Sequence, residues 1–268
     1  MSDAVSEWRI RYLAHNRLPR PATILLPARY GPNRPTPPLP LVIAIHGRNT
    51  GEKLTARLWD GLPARGNFAV IAPAGMGRRI PYCSWGWHGQ INDLARMPSI
   101  ADNALTWLRI DYDRIYAVGG SMGAQETLLL NGQHPKMLAG AVAIDGVTNF
   151  YTRYADFALS WRTRGLQVLA RYEVGGTPQT NTAGYVLRSP THWIPQIAES
   201  KTPLQIWWST ADLIVEDQIH QSAHFFSELK KVRKHGHLES VVGLWDHMSQ
   251  MRERKIPAAA EWLGLLDV

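Results

Sequence analysis

Residues 114–130 constrain the fold more than any other part of this 268-residue chain. They begin as an apolar run typical of a buried strand, pass through Gly-x-Ser-x-Gly at residues 119–123, and continue as a helix-type run. A serine on such a sharp turn needs small neighbours two residues before and two after it, and Gly119 and Gly123 stand at those positions. The pattern therefore predicts a strand, a tight turn and a helix, with Ser121 as the candidate nucleophile.

Length and composition favour one large globular domain. Of the residues, 45% are hydrophobic, and we find no internal repeat or low-complexity tract. The first residues do not resemble a secretory leader, and no run of about 18 apolar residues predicts a membrane span, so we expect a soluble, cytoplasmic protein without a membrane partner. The single cysteine, Cys83, excludes an internal disulfide, and packing explains it better than catalysis does.

The chain is basic, with a formal net charge of +7 from 29 lysines and arginines against 22 acidic residues. Its densest basic run, residues 230–237, stands at a predicted helix end, where the helix dipole favours cations. Because no recognised nucleic-acid-binding module accompanies this charge, we expect no nucleic-acid partner. The sequence contains no metal-ligand cluster, phosphate-binding loop or dinucleotide fingerprint, and we expect neither a metal nor another cofactor.

Apolar runs at residues 41–47, 68–73 and 138–146 are typical of strands that are buried on both faces. Residues 203–210 and 238–245 predict the last two strands. Helix-type runs separate most of them, and this alternation is typical of a mostly parallel, twisted sheet with helices on both faces. Two alternating segments, residues 8–14 and 22–27, predict an antiparallel pair at the start of the sheet.

Residues 113–123 resemble the nucleophile elbow of α/β hydrolases, and within them the catalytic domains of prolyl-oligopeptidase-like peptidases and related esterases. The likeness in element order extends from about residue 41 to the C-terminus. It implies an α/β-hydrolase fold in which residues 1–268 form a single domain. It also implies a cap or lid insertion at about residues 147–200, an aromatic segment without one regular element, where the substrate would be selected.

The resemblance also implies a catalytic triad. In this superfamily the acid follows the penultimate strand and the histidine follows the last one, and Asp212 and His247 stand at those positions. Asp145, after the preceding strand, is the alternative acid, because some hydrolases carry the acid there. His46 is an alternative base, although a histidine at its strand end more often braces the loop. The sequence leaves the choice between Asp212 and Asp145 open.

Two backbone N–H groups would stabilise the negative charge that develops on a substrate oxygen. By the same resemblance these belong to Arg48, on the turn after the strand at residues 41–47, and to Met122, the first residue of the helix after Ser121. Such an oxyanion hole lies close to the positive end of the helix dipole.

Tryptophans near the same sheet edge are candidate substrate-binding residues. Ligands of open α/β sheets bind at the carboxyl ends of the strands, and Trp85 and Trp87 follow one of these ends. Trp161, in the inserted segment, is the third candidate. For each of the three, packing onto the core is the alternative explanation.

These residues predict a serine hydrolase acting on a small-molecule ester or peptide. Ser121 would attack the carbonyl carbon, His247 would accept its proton, Asp212 would orient the imidazole, and water would clear the acyl-enzyme. We expect a carboxylic ester hydrolase whose activity falls as the pH drops through about 6.5. The alternatives are a peptidase or amidase, although such peptidases usually have an accessory domain for which 268 residues leave no room, and a non-catalytic ligand-binding scaffold.

Overall fold

A single eight-stranded sheet organises the chain. The structure is a computed structural model that describes residues 4–34, 37–159, 161 and 163–266. The ends of the predicted domain, residues 1–3 and 267–268, lie outside the described residues. The strands are β1 (Val5–Leu13), β2 (Pro19–Pro27), β3 (Leu39–Ile45), β4 (Ala69–Pro73), β5 (Ile110–Gly120), β6 (Gly140–Ile144), β7 (Leu204–Ser209) and β8 (Leu238–Gly243).

The order of strands across the sheet is β1-β2-β4-β3-β5-β6-β7-β8. β1 pairs antiparallel with β2, and β2 pairs antiparallel with β4. All pairs from β4 through β3 to β8 are parallel. The predicted mostly parallel sheet is confirmed, as is the antiparallel pair at its start.

Helices cover both faces of this sheet. Those of the described residues are α1 (Glu52–Arg57), α2 (Leu62–Gly66), α3 (His88–Ala95), α4 (Met97–Ala104), α5 (Met122–Gln133), α6 (Phe150–Asp156), α7 (Arg164–Val174), α8 (Thr182–Val186), α9 (Ile194–Glu199), α10 (His224–Val232) and α11 (Ile256–Trp262). None of them combines the length and the apolar character that a crossing of a bilayer requires.

The alternation of side chains along the central strands explains why both faces are covered. Leu41, Ile43 and Ile45 of β3 belong to one hydrophobic cluster, together with side chains of α5 and α10. Val42 and Ala44 belong to a second cluster, together with side chains of α1 and α11. Because every residue of β3 is buried, the strand reads in sequence as a continuous apolar run.

The segment between β6 and β7 differs from its sequence-based expectation. It was expected to lack a regular element, but it contains α6, α7, α8 and α9, which are 5 to 11 residues long. α6, α8 and α9 complete at most about two turns, which is too few for a clear amphipathic period in the sequence. Its aromatic residues Phe150, Phe157 and Tyr185 are buried in a third hydrophobic cluster that also contains Trp85.

Candidate active site

Ser121 lies on the turn between β5 and α5 with backbone angles φ 57° and ψ −122°. A positive φ is strained for a residue with a side chain, so close packing of the surrounding backbone must hold Ser121 in this conformation. A Cβ atom added at Gly119 would lie 2.2 Å from the carbonyl oxygen of Gly123, and one added at Gly123 would lie 2.3 Å from that of Ile45. The two glycines therefore allow the turn to pack against the end of β3.

We expect Gly123→Ala to lower both stability and activity. The added Cβ must displace the carbonyl of Ile45, so the free energy of unfolding should fall by about 1–3 kcal/mol. Thermal unfolding and initial rates measure the two effects. The matched control is Gly165→Ala, because a Cβ at Gly165 meets nothing within 4 Å. Equal stability and activity of the two variants would contradict this account of the turn.

Three side chains from the ends of separate strands meet at this turn. His247 Nε2 lies 2.9 Å from Ser121 Oγ, and His247 Nδ1 lies 2.7 Å from Asp212 Oδ2. Because an ionised carboxylate only accepts hydrogen bonds, Nδ1 must carry the hydrogen of a neutral imidazole. Nε2 is then free to accept the hydrogen bond of the Ser121 hydroxyl. The structure thus brings together the three residues that the sequence singled out.

Asp212 is held as an ionised acceptor. Its Oδ1 accepts the backbone N–H groups of Ile214 at 2.8 Å and Val215 at 2.9 Å, and its side chain is buried. Burial by itself raises the pKa of Asp212, but the hydrogen bonds from His247 and from these two N–H groups outweigh burial and bring the pKa below its usual value. The carboxylate is therefore fixed in place and charged beside the imidazole.

Asp145, the alternative acid, has different partners. Trp245 Nε1 donates to its Oδ1 at 2.9 Å, and Met248 N and Lys255 Nζ donate to its Oδ2 at 3.1 and 3.2 Å. Of the two acids, Asp212 is the one that hydrogen-bonds to His247.

One side-chain atom of each of Asp145, Asp212 and His247 lies within 4.8 Å of the other two. Two carboxylates and an imidazole are also common metal ligands. Each of the three is already hydrogen-bonded within the protein, and the Lys255 ammonium supplies a positive charge beside Asp145. We therefore assign none of the three as a metal ligand.

His46 braces the loop that follows β3. Its Nδ1 donates to the carbonyl of Gly47 at 2.6 Å, and its Nε2 accepts the N–H of Gly75 at 2.8 Å. Burial lowers the pKa of His46, which agrees with a neutral ring holding one hydrogen. With both nitrogens engaged, His46 is a support of the loop rather than a base.

Arg48 and Met122 both line the space around Ser121. Met122 is the first residue of α5, where backbone N–H groups have no carbonyl partner within the helix. The loop that carries Arg48 is held by two further bonds, from Asn49 N to the carbonyl of Tyr82 and from Thr50 Oγ1 to that of Gly47. Both residues predicted to form an oxyanion hole are thus adjacent to the serine.

A cavity of about 420 Å³ opens at Ser121, and much of its wall is apolar. Most of the apolar lining residues belong to two of the hydrophobic clusters. Those of the second cluster include Leu58, Trp59, Met248, Met251 and Ile256. Those of the third cluster include Trp85, Val147, Phe157, Leu166 and Val215. Sequence reasoning identified only Trp85 among them, because the others are ordinary core residues in a sequence pattern.

The structure places the other two candidate tryptophans away from this cavity. The ring of Trp87 packs against the His88 ring, with centroids 3.9 Å apart, and lies 5.0 Å from the guanidinium carbon of Arg188. Trp161 is 85% exposed at the surface of the inserted segment. Of the three tryptophans, Trp85 is the one that lines the cavity.

The sequence matches the prolyl oligopeptidase family over residues 90–265, which include the serine, the acid and the histidine. The chain belongs to the prolyl oligopeptidase family. It is accordingly a serine hydrolase with an α/β-hydrolase fold, as the resemblance at its elbow implied. A comparison with curated proteins gives no match.

Solved structures of serine hydrolases share this fold. The fluorophosphonate-binding serine hydrolase FphF of Staphylococcus aureus is 16% identical, with a TM-score of 0.69 over 98% of this chain and 99% of that one. Pyrococcus horikoshii acylaminoacyl peptidase is 15% identical, with a TM-score of 0.69 over 97% of this chain and 41% of that one. An acetyl xylan esterase from a Paenibacillus species is 14% identical, with a TM-score of 0.68 over 98% and 84%.

Proposed function

We propose that this member of the prolyl oligopeptidase family hydrolyses carboxylic esters through an acyl-enzyme, with Ser121, His247 and Asp212 as its catalytic triad. The observation that carries the proposal is the chain of two hydrogen bonds at 2.9 and 2.7 Å that joins the three side chains, of which Ser121 and His247 line the cavity. A serine hydroxyl is a poor nucleophile at neutral pH, and this chain supplies the base that it needs.

In the first half of the reaction, Ser121 Oγ attacks the ester carbonyl carbon while its proton passes to His247 Nε2. Asp212 stabilises the imidazolium that forms. The N–H groups of Arg48 and Met122 donate to the carbonyl oxygen as it becomes negative, and donors of this kind contribute on the order of 3 kcal/mol each to the transition state. His247 then protonates the departing alkoxide, which leaves an acyl-Ser121 ester.

In the second half, His247 removes a proton from a water molecule that attacks the acyl-Ser121 carbonyl. The same two N–H groups stabilise the second oxyanion. Return of the proton from His247 to Ser121 Oγ releases the carboxylic acid and restores the resting enzyme. Each step uses the same three side chains, so loss of any one of them should affect both halves.

The apolar wall of the cavity favours an ester substrate with an apolar acyl group. Trp85, Val147 and Phe157 line the cavity together with Ser121, and they offer little hydrogen bonding to a polar acyl chain. The acetyl xylan esterase also favours ester hydrolysis, because this chain covers 84% of its length. FphF, of which the chain covers 99%, supports the serine-hydrolase mechanism in general.

A peptidase or amidase is the second candidate. Family membership favours it, and so does the likeness to acylaminoacyl peptidase. This chain covers only 41% of that peptidase, so the properties of the complete peptidase are not transferred.

A matched panel of substrates separates the two candidates. We expect p-nitrophenyl butyrate to be hydrolysed with a larger acceleration over its spontaneous rate than butyryl p-nitroanilide, and aminoacyl p-nitroanilides to react weakly. Referring each rate to the uncatalysed reaction removes the intrinsic difference in reactivity between esters and anilides. A larger acceleration for the anilides would favour the peptidase, and no Ser121-dependent turnover of any substrate would reject both.

A further inference from the structure

A buried ion pair lies beside the imidazole. Asp145 Oδ2 and Lys255 Nζ are 3.2 Å apart, and their side chains are 0% and 4% exposed. Asp145 follows β6, and Lys255 ends the π-helical turn Met251–Lys255 that leads into α11. The mechanism proposed above uses neither residue, although isolated charges are very costly at such burial.

This pair holds residues on both sides of His247 in the chain. The Trp245 indole donates to Asp145, and the Lys255 ammonium lies 4.4 Å from the centre of the same indole. On the other side of the histidine, Met248 N donates to Asp145. The loop that presents the base is therefore fixed at two points to one carboxylate.

The pair also determines how many charges act on the base. The charged groups around the imidazole and its acid are Asp145 after β6, Asp212 after β7, Lys255 before α11 and Arg153 of α6, which interacts with Asp212. Arg48 lines the same cavity as His247, and Asp246, the residue before the histidine, is exposed. Two carboxylates close to one imidazole would both stabilise its charged form. The positive charge of Lys255 is placed to cancel the negative charge of Asp145.

We propose that Asp145 and Lys255 are positioning residues of the triad, and that Lys255 neutralises Asp145 so that the base responds to a single carboxylate, Asp212. The inference rests on the proposed function. Burial lowers the pKa of Lys255 below its usual value, and the Asp145 and Asp212 carboxylates, which favour the ammonium form, offset only part of that effect.

The test is the pH dependence of kcat/KM for p-nitrophenyl butyrate, whose acid limb reports protonation of the base. Lys255→Met leaves the Asp145 carboxylate uncompensated, which favours the imidazolium and should move the midpoint of the acid limb up by about one pH unit. Asp145→Asn leaves the ammonium uncompensated and should move the midpoint down. The double variant should return it towards the wild-type value, and Lys255→Arg, which keeps the charge, should leave it in place.

Opposite shifts that cancel in the double variant support the proposal. A purely structural role would lower kcat/KM at every pH without moving the midpoint, and that result overturns it. Because breaking a buried pair destabilises a fold, circular dichroism is recorded for each variant. Asp145→Asn keeps the shape of the carboxylate, so an unchanged midpoint in this variant is sufficient to overturn the proposal. If Ser121→Ala were as active as the wild type, that result would instead overturn the proposed function itself.

Discussion

Replacement of Ser121 by alanine is expected to reduce ester hydrolysis by on the order of 10⁴-fold or more. The variant keeps the oxyanion donors and the cavity but lacks the oxygen that forms the acyl-enzyme, so only weak catalysis of direct attack by water can remain. The hydroxyl is not needed for the fold, because the partner it contacts is His247, which is also held by Asp212. Initial rates with p-nitrophenyl butyrate measure the loss.

A labelling experiment and a control variant make this prediction specific. A fluorophosphonate probe should add to the wild-type protein at Ser121, as located by peptide mass spectrometry, and should not add to Ser121→Ala. The control is Ser99→Ala, since Ser99 is exposed and its hydroxyl donates to the carbonyl of Arg96, far from the triad in the chain. Activity of Ser121→Ala close to that of this control would show that another residue is the nucleophile.

The local part of the fold was predictable from the sequence. The strand, turn and helix around Ser121 are encoded by neighbouring residues, with an apolar run, small residues at Gly119 and Gly123, and a helical run. The end of the last strand was not predictable from the sequence in this way. Residues 238–245 read as one strand, but β8 ends at Gly243, because the backbone N–H and carbonyl of Trp245 bond to the Ser209 side chain at 2.8 and 2.5 Å.

The choice of acid could not be made from local sequence. Asp145 and Asp212 both follow buried strands, and nothing in their immediate neighbours separates them. Their hydrogen-bond partners distinguish the two acids, but the partners of Asp145 lie far along the chain. Trp245 is 100 residues and Lys255 is 110 residues from Asp145. Only the folded chain shows that those groups occupy Asp145 and leave Asp212 to contact His247.

The residues that line the cavity could not be identified from local sequence either. The exposed Trp161 was a reasonable candidate because aromatic rings often line ligand sites, whereas Leu58 and Met251 gave no signal beyond that of core residues. A sequence pattern indicates which face of an element is apolar, but whether that face meets another element or an open space depends on packing between distant segments.

The second large effect is expected for Asp212→Asn, which should lower kcat/KM by about 10⁴-fold. The backbone N–H groups of Ile214 and Val215 both donate to Oδ1, so they select the oxygen of the new amide at that position. Its NH₂ group then replaces Oδ2, 2.7 Å from His247 Nδ1, and donates to it. The imidazole hydrogen must move to Nε2, which can no longer accept the proton of the serine.

The matched control is Asp246→Asn, which removes an exposed carboxylate from the residue directly before His247. If proximity of negative charge were all that mattered, both substitutions would have similar effects. If the hydrogen bond to Nδ1 fixes the tautomer, only Asp212→Asn should lose activity, while Asp246→Asn should stay within about tenfold of the wild type. Rates measured between pH 6 and 9 decide the matter, because a wrong tautomer, unlike a shifted titration of the base, is not corrected by raising the pH. Recovery of Asp212→Asn at high pH would therefore contradict the role assigned to this carboxylate.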